Sequence, residues 1–155
     1  MKKRGHWKLL LACMVIVYFV AFLGSIFTTP NVNTAWYDSI KPSITPPGWV
    51  FPIAWNILFF LIAISLYLAW ISSKKNQKTK IAFAFGINLI LNAFWSYLYF
   101  GLKNPAFAFI DLIVIWLSIA MMIYITYKIN KTASYLLIPY LLWVSFAGIL
   151  NYLSI

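Results

Sequence analysis

Two asparagines and a tryptophan in the third apolar stretch of this sequence have the chemistry and the spacing of a ligand-binding surface. Asn88, Asn92 and Trp95 are separated by four and three residues, so a helix would carry all three on one face. Amide groups donate and accept hydrogen bonds, and an indole ring offers a flat surface with one N–H donor. Side chains of these types bind and orient a molecule and do not serve as acids or bases.

A similar stripe recurs near the end of the sequence. Tyr140, Trp143, Ala147 and Asn151 follow one helical face, and the small Ala147 leaves room beside the Trp143 ring. If this face meets the one that carries Asn92, the two form an aromatic pocket with a few polar anchors.

An earlier stretch contributes more aromatic surface, and a later one contributes a carboxylate. Trp55 and Phe59 share a face of the second apolar stretch. Asp111 lies within the fourth stretch, where an ionisable side chain is costly unless it finds a partner. Two interpretations of Asp111 stay open: a hydrogen bond to a neighbouring helix, or contact with a ligand. The same two apply to Asn92 and Trp95.

Little else in the sequence could do covalent or metal chemistry. There is one histidine, His6, one cysteine, Cys13, and two carboxylates, Asp38 and Asp111. No nucleophile has a base near it in sequence, no pair of carboxylates is available for acid–base work, and a metal site lacks ligands. We therefore expect no metal site and no conventional catalytic residues, and whether the protein is an enzyme stays open.

Helices inside a membrane must position these side chains. Of the 155 residues, 64% are hydrophobic and 9% are charged, which is far more apolar than a soluble domain. Five apolar segments are each long enough to span a hydrocarbon core of about 30 Å. The sequence predicts an all-α membrane protein, a single domain over residues 1–155, with a five-transmembrane-helix bundle at approximately 7–28, 47–72, 81–101, 105–128 and 133–154.

The formal net charge of +10 is explained by membrane topology rather than by nucleic-acid binding. Most cations fall at one end of the predicted bundle, and only Lys41 and Lys103 fall at the other. The positive-inside rule then predicts a cytoplasmic N-terminus, a C-terminus outside, and an external loop at residues 29–46. The cations of the cytoplasmic end are Lys2, Lys3, Arg4, Lys8, Lys74, Lys75, Lys78, Lys80, Lys128 and Lys131.

The candidate pocket residues lie at similar depths in the predicted membrane. At about 1.5 Å per residue, Asp111 is about 9 Å and Trp55 about 12 Å from the external ends of their helices. Asn92 is about 12 Å and Trp143 about 16 Å from the external ends of theirs. The pocket is therefore expected in the outer half of the membrane, roofed by the external loop.

Prolines and small residues predict local features of the second and third helices. Thr45 is placed to cap the second helix, and Pro46 is placed to occupy its first position. Pro52 is expected to distort that helix locally. In the third helix, Ala82 and Gly86 let another helix approach closely, either inside the bundle or across a dimer.

Motifs on four of the five predicted helices resemble the TspO/translocator protein family, the tryptophan-rich sensory proteins. The pattern WY-x-x-x-KPS-x-x-PP-x-W begins at Trp36 and is followed by a P-x-x-W that ends at Trp55. LNAFW ends at Trp95, Asp111 falls where the family has an Asp, and PYLLWVSFAGILNY resembles the last helix of the family. The resemblance covers nearly the whole chain.

The resemblance implies a membrane protein, usually a homodimer, that binds porphyrins such as protoporphyrin IX and takes part in tetrapyrrole and heme metabolism or stress sensing. Animal members also bind cholesterol and benzodiazepine-type drugs, so drugs of that type are candidate ligands here. In the family, the residues matching Trp55 and Asn92 contact polar groups of the ligand, and the loop matching Trp36 and Tyr37 is the lid. The expected ligand-binding set is Trp36, Tyr37, Trp55, Phe59, Asn92, Trp95, Asp111, Trp143 and Ala147.

Two alternatives to simple binding stay open. Some bacterial members of the family are reported to degrade porphyrin in light, and Trp55, Trp95 and Trp143 are the candidate photochemical residues for that activity. Transport of porphyrin or another hydrophobic ligand is the second alternative. No cofactor is expected, and a bacterial cell membrane is the expected location. Sterol binding through the family's C-terminal pattern is doubtful, because no Lys or Arg follows Tyr152.

Overall fold

A computed structural model describes residues 6–155, which form helices joined by short connections. Five helical segments in this range are long and apolar enough to cross a membrane, so the predicted all-α, five-helix membrane protein is confirmed. The predicted cytoplasmic cations Lys2, Lys3 and Arg4 lie outside the described residues. The five segments are His6–Thr28, Val50–Ser72, Lys75–Gly101, Pro105–Tyr127 and Lys131–Tyr152.

Seven α-helices occur in the described part of the chain. The third membrane segment also contains a 3₁₀ turn, Lys75–Gln77, and a π-helical stretch, Tyr97–Gly101. We call the end of the bundle with Lys74, Lys80, Lys128 and neighbouring lysines the lysine-rich end, and the opposite end the lid end. The helices are α1 (His6–Thr28), α2 (Ala35–Ile40), α3 (Val50–Ser72), α4 (Lys78–Ser96), α5 (Pro105–Tyr127), α6 (Lys131–Tyr135) and α7 (Ile138–Tyr152).

The bundle is held by contacts between specific helix pairs. Helix α1 packs against α3 and α4, and α5 packs against α4 and α7. Close approach of α1 to α4 depends on Gly24, where an added Cβ would lie 3.3 Å from Ser96 Oγ and 3.8 Å from Ala93 Cα. In a membrane, where lipid tails compete with apolar side chains, such small-residue contacts help helices to associate.

The segment predicted as a lid loop, residues 29–46, contains the short helix α2, which the sequence analysis did not predict. Its N-cap is Thr34, whose hydroxyl accepts a hydrogen bond from the Tyr37 N–H at 3.4 Å. The helix stops where Lys41 takes an extended backbone conformation, immediately before Pro42, because a residue that precedes a proline disfavours the helical region. The segment predicted as a lid therefore carries Trp36 and Tyr37 on a short helix.

Helix α3 begins at Val50 rather than at residue 47, so the predictions of Thr45 as its N-cap and of Pro46 as its first residue are wrong. The Pro46-Pro47 pair delays the helix, because a residue before a proline avoids helical backbone angles. A turn closed by the Val50 N–H and the Pro47 carbonyl, 2.9 Å apart, precedes the helix instead. Pro52 then falls in the first turn, where its missing N–H needs no partner, and α3 continues unbroken to Ser72.

Helix α4 ends in a π-helical stretch that the sequence analysis did not predict. The Leu102 N–H donates to the Tyr97 carbonyl at 2.8 Å, five residues back, as a π-helix requires. Asn104 then caps α5 by accepting a hydrogen bond from the Phe107 N–H at 3.0 Å. Consecutive side chains of the π-helical stretch are buried, a set that one face of a regular α-helix would not carry: Leu98, Tyr99 and Phe100.

The last membrane segment, predicted as one helix at 133–154, consists of α6 and α7 with a break at Leu136 and Leu137. Pro139 explains the break, because a proline inside a helix removes a backbone hydrogen bond and clashes with the preceding turn. In the first turn of a new helix it has neither effect. The break sets the rotation of α7 and hence the direction of its aromatic stripe.

Candidate functional site

A chain of hydrogen bonds crosses the interior of the bundle from α4 to α7, back to α4, and on to α5. The Asn92 amide donates to the Tyr140 hydroxyl at 3.1 Å, and this hydroxyl donates to Asn88 Oδ1 at 3.1 Å. The Asn88 amide in turn donates to Ser118 Oγ at 2.7 Å. Tyr140 and Asn88 are completely buried. The predicted site residue Asn92 is thus held by a network that links three membrane helices.

The indole of Trp95 is held in place both at its N–H group and at its ring face. Its N–H donates to Asn151 Oδ1 at 2.9 Å, and the Asn151 amide donates to the Pro105 carbonyl at 2.8 Å. One face of the ring stacks on Tyr99 with centroids 4.9 Å apart and planes 23° apart. Trp95 is therefore preorganised as a rigid aromatic surface.

The lid rests on the π-helical stretch through aromatic contacts. Trp36 lies edge-on to Tyr99 with centroids 6.0 Å apart, and Tyr37 lies 5.5 Å from Phe100. Tyr99 is anchored in turn, because its hydroxyl donates to Ser154 Oγ at 2.9 Å. The structure thus connects the two predicted lid residues to Trp95 through Tyr99.

Charged groups at the lid end surround the same two lid residues. The Lys103 ammonium lies 5.6 Å from the centre of the Trp36 ring, and the Lys41 ammonium lies 5.9 Å from that of Tyr37. Lys41 also forms an ion pair with Asp38. Burial, followed by the neighbouring Asp38 carboxylate, raises the pKa of Tyr37, so its hydroxyl stays protonated at physiological pH.

A second aromatic wall is formed on α3. Trp55 stacks on Phe59 with centroids 5.3 Å apart and meets Tyr140 edge-on at 6.2 Å. Tyr18 of α1 supports the wall, because its ring lies 6.3 Å from Phe59 and its hydroxyl donates to the Asn56 carbonyl at 3.0 Å. The wall therefore meets the polar chain at Tyr140.

Two predicted site residues carry buried polar atoms without a hydrogen-bond partner among residues 6–155. These atoms are Trp143 Nε1 and Asp111 Oδ2. The Trp143 ring packs edge-on against Phe51 at 6.0 Å, and the Asp111 side chain is only 7% exposed. A buried polar group without a partner is costly and rare, so each of these two atoms calls for a partner.

The nine predicted site residues are brought together unequally. One core cluster includes Phe59 and has Trp55, Trp95, Trp143 and Ala147 packed against it, and Asn92 joins it through its bond to the buried Tyr140. Trp95 also packs against a second cluster, as do the lid residues Trp36 and Tyr37. Asp111 is buried on α5 and is joined to neither cluster by a hydrogen bond within the described chain.

Two open grooves of the described chain lie away from the predicted site. A groove of 460 Å³ runs along the outer face of α4 and α5, and one of 300 Å³ runs along α5 and α7. Neither is lined by any of the nine predicted residues. Those residues contact neighbouring side chains in the interior, so a ligand at the predicted site must enter between aromatic rings that touch in this structure.

Sequence reasoning missed several residues that complete the site. Tyr99 continues the stripe of Asn88, Asn92 and Trp95 by a further four residues, so its spacing could have identified it. Phe100 had no such signal, because only the π-helical turn buries its side chain together with that of Tyr99. Ser118 gave no signal either, since its role depends on which helix faces Asn88.

Comparison with known proteins gives consistent matches over nearly the whole chain. A sequence profile described as the TspO/MBR family matches residues 12–154. "Tryptophan-rich protein TspO" of Archaeoglobus fulgidus is 42% identical over 144 residues, 92% of this chain and 92% of that protein. "Protein CrtK" of Rhodobacter capsulatus is 34% identical over 88% of this chain and 87% of its own length. Human "Translocator protein" is 31% identical over 84% of this chain and 79% of its own length.

Proposed function

Since this chain belongs to the TspO/MBR family of membrane proteins, we propose that it binds a porphyrin, a tetrapyrrole of the protoporphyrin IX type. The ligand lies between the lid and the bundle, at the end opposite the lysine-rich end. Binding serves tetrapyrrole metabolism or stress sensing. A sensing role is in line with the name "Tryptophan-rich sensory protein" carried by a Cereibacter sphaeroides protein that is 34% identical over 86% of this chain.

One observation carries the proposal: two stacked aromatic pairs flank a polar chain in the bundle interior. The Trp55–Phe59 pair and the Trp95–Tyr99 pair each present a flat surface. The hydrogen bond between Asn92 and Tyr140 joins α4 to α7 between the two pairs, since the Tyr140 ring also contacts Trp55. A tetrapyrrole is flat, aromatic and apolar, with polar groups at its centre and its edge. Ring stacking adds about 0.5–1.5 kcal/mol per pair beyond apolar burial, so these surfaces favour a planar aromatic ligand.

The unpartnered polar atoms give the bound ligand a defined orientation. Trp143 Nε1 can donate to a carboxylate or carbonyl at the ligand edge, and Asp111 can accept from an N–H or O–H group. Trp55 and Asn92 supply the remaining hydrogen bonds. A ligand that forms hydrogen bonds with these unpartnered buried atoms gains more binding free energy than a ligand that only replaces water at groups already hydrogen-bonded to it.

Saturable quenching of tryptophan fluorescence by protoporphyrin IX, together with a shift of its Soret band, tests the proposal. Loss of one indole hydrogen bond in Trp143→Phe is expected to weaken binding about tenfold, which corresponds to about 1.4 kcal/mol. Trp70→Phe is the matched control, because Trp70 lies on α3 towards the lysine-rich end, where Lys78 packs over its ring. Absence of saturable quenching, or an equal loss in the control, would remove the proposed site.

Illumination of the same complexes decides the alternative of light-dependent degradation. Trp95 and Tyr99 are stacked, and Trp36 touches Tyr99, so oxidisable rings would lie beside a bound porphyrin. Degradation predicts a spectral product that needs light and molecular oxygen and that decreases in Trp95→Phe. Binding without such a product leaves a receptor, and net movement of porphyrin across proteoliposomes would instead indicate transport.

We also propose that the protein lies in a bacterial cell membrane with its lysine-rich end in the cytoplasm, and that it forms a homodimer. In the described chain, Lys41 and Lys103 are the cations of the lid end, while the other lysines lie at the lysine-rich end, which favours a cytoplasmic lysine-rich end. Gly86 has open space where a Cβ would lie, so it could accept a helix of a second copy. Labelling of single cysteines from either side tests the orientation, and light scattering of the detergent complex tests the dimer.

A further inference from the structure

The larger of the two grooves described above has an amphipathic lining. It runs between the outer faces of α4 and α5 and has a volume of 460 Å³. Phe83, which is 69% exposed, and Ala84 form its apolar wall on α4, and Met121 and Ile125 form the wall on α5. These helices cross the membrane, so the groove opens towards lipid rather than towards water.

Polar groups in the groove that remain free for a ligand lie at one end. Thr79 and Lys80 line it at the lysine-rich end. Ser118 lies towards the middle of the bundle, but its hydroxyl already accepts from Asn88 and donates to the Ile115 carbonyl at 2.7 Å. From Lys80 to Ile87 the groove extends about 10 Å along α4, at about 1.5 Å per residue. It therefore suits a molecule with a polar head and an apolar tail.

The lysines at this end have no acidic partner in the protein. The whole sequence contains two carboxylates, Asp38 and Asp111, and Asp38 is paired with Lys41 at the opposite end. Asp111 is buried within the bundle on α5. Lys74, Lys75, Lys78 and Lys80 therefore have no counter-charge within the chain, which favours an anionic head group in a molecule that binds at this end.

We propose that this groove binds one anionic phospholipid from the leaflet at the lysine-rich end. The lipid phosphate contacts the Lys80 ammonium and the Thr79 hydroxyl, and an acyl chain lies along Phe83, Ala84 and Ile87. A basic side chain near a membrane surface contributes about 1 kcal/mol to the attraction of an anionic lipid. The apolar tail adds burial that a free phosphate ion cannot provide.

Retention of lipid by the purified full-length protein, measured by native mass spectrometry, tests the proposal. Phosphatidylglycerol is titrated against phosphatidylcholine with the same acyl chains, and glycerol phosphate serves as the head group without a tail. Lys80→Gln is expected to weaken phosphatidylglycerol binding about fivefold, equivalent to about 1 kcal/mol, and to leave phosphatidylcholine unchanged. Its matched control is Lys131→Gln, at the same end but outside the groove, which is expected to change binding less than twofold.

Two further variants test the groove itself. Ala84→Leu fills it and is expected to reduce retention of both lipids, whereas Ala106→Leu, at an exposed position of α5 outside the lining, is the control. Phe83→Ala removes an exposed part of the groove wall and is likewise expected to reduce retention of both lipids, which provides a second test should Ala84→Leu not fold. Equal losses in Lys80→Gln and Lys131→Gln, or equal binding of glycerol phosphate, would overturn the proposal. So would conversion of a dimer to a monomer by Ala84→Leu with lipid retention unchanged, because a second copy would then occupy the groove.

Discussion

Replacing Asp111 by leucine is expected to stabilise the ligand-free protein. Asp111 is 93% buried on α5, since only 7% of the residue is exposed, and its Oδ2 atom has no hydrogen-bond partner in the described chain. A buried polar atom without a partner costs about 1–3 kcal/mol. Leucine has the same branched shape, with two larger methyl groups in place of the two carboxyl oxygens, and carries no polar atom, so the substitution removes this cost without opening a cavity.

The magnitude can be measured by thermal unfolding in detergent, followed by far-UV circular dichroism. A gain of about 2 kcal/mol corresponds to a rise in Tm of about 4–8 °C for a chain of this length. Asp111→Asn is the matched control, because it removes the charge but keeps polar atoms in the same place, and we expect it to shift the Tm less than Asp111→Leu.

A lower Tm in both Asp111→Leu and Asp111→Asn would refute this reasoning, because a loss in the amide variant cannot come from the larger leucine side chain and would show that the carboxyl is satisfied by a structural partner. The porphyrin titration separates the two roles that the sequence left open for Asp111. If the carboxyl is kept for the ligand, the leucine variant is more stable and binds protoporphyrin IX several-fold more weakly. Higher stability with unchanged affinity would remove Asp111 from the binding site.

Three other predictions follow from single contacts. Tyr140→Phe keeps the ring against Trp55 but removes the hydroxyl shared by Asn92 and Asn88, and it is expected to lower the unfolding free energy in sodium dodecyl sulfate by about 1–2 kcal/mol. Thr34→Ala removes the cap of α2 and costs about 1 kcal/mol, so the lid amides should exchange hydrogen about fivefold faster. Trp36→Ala detaches the lid from the π-helical stretch and should speed porphyrin release in stopped-flow quenching, whereas an unchanged rate would show that the lid does not cover the ligand.

The membrane helices could be predicted from the sequence because apolar length alone is a strong physical constraint. Backbone polar groups must be paired inside lipid, so an apolar stretch of this length has to be helical. The break in the last segment was readable in principle from Pro139, which cannot sit inside a continuous helix without removing a hydrogen bond. Helix α2 was harder to predict, because its six residues stand alone and depend on Thr34 and on packing against the bundle.

The site was predictable as a set of helix faces but not as a set of contacts. Helical spacing placed Asn88, Asn92 and Trp95 on one face, yet it could not show that Tyr140 bonds to both asparagines. That pairing depends on the rotation of α7 after its break. The π-helical stretch has no local sequence signal, so the burial of Phe100 beside the lid was visible only in three dimensions.

The most direct test of porphyrin binding in the bundle interior is induced circular dichroism in the Soret band. A porphyrin held rigidly between chiral aromatic walls gives such a signal, whereas one dissolved in a detergent micelle does not. We expect the signal to saturate at one porphyrin per chain and to weaken strongly in folded Asn92→Leu. A wild-type protein that gives no saturable Soret signal, or an Asn92→Leu variant with unchanged affinity, would contradict the account.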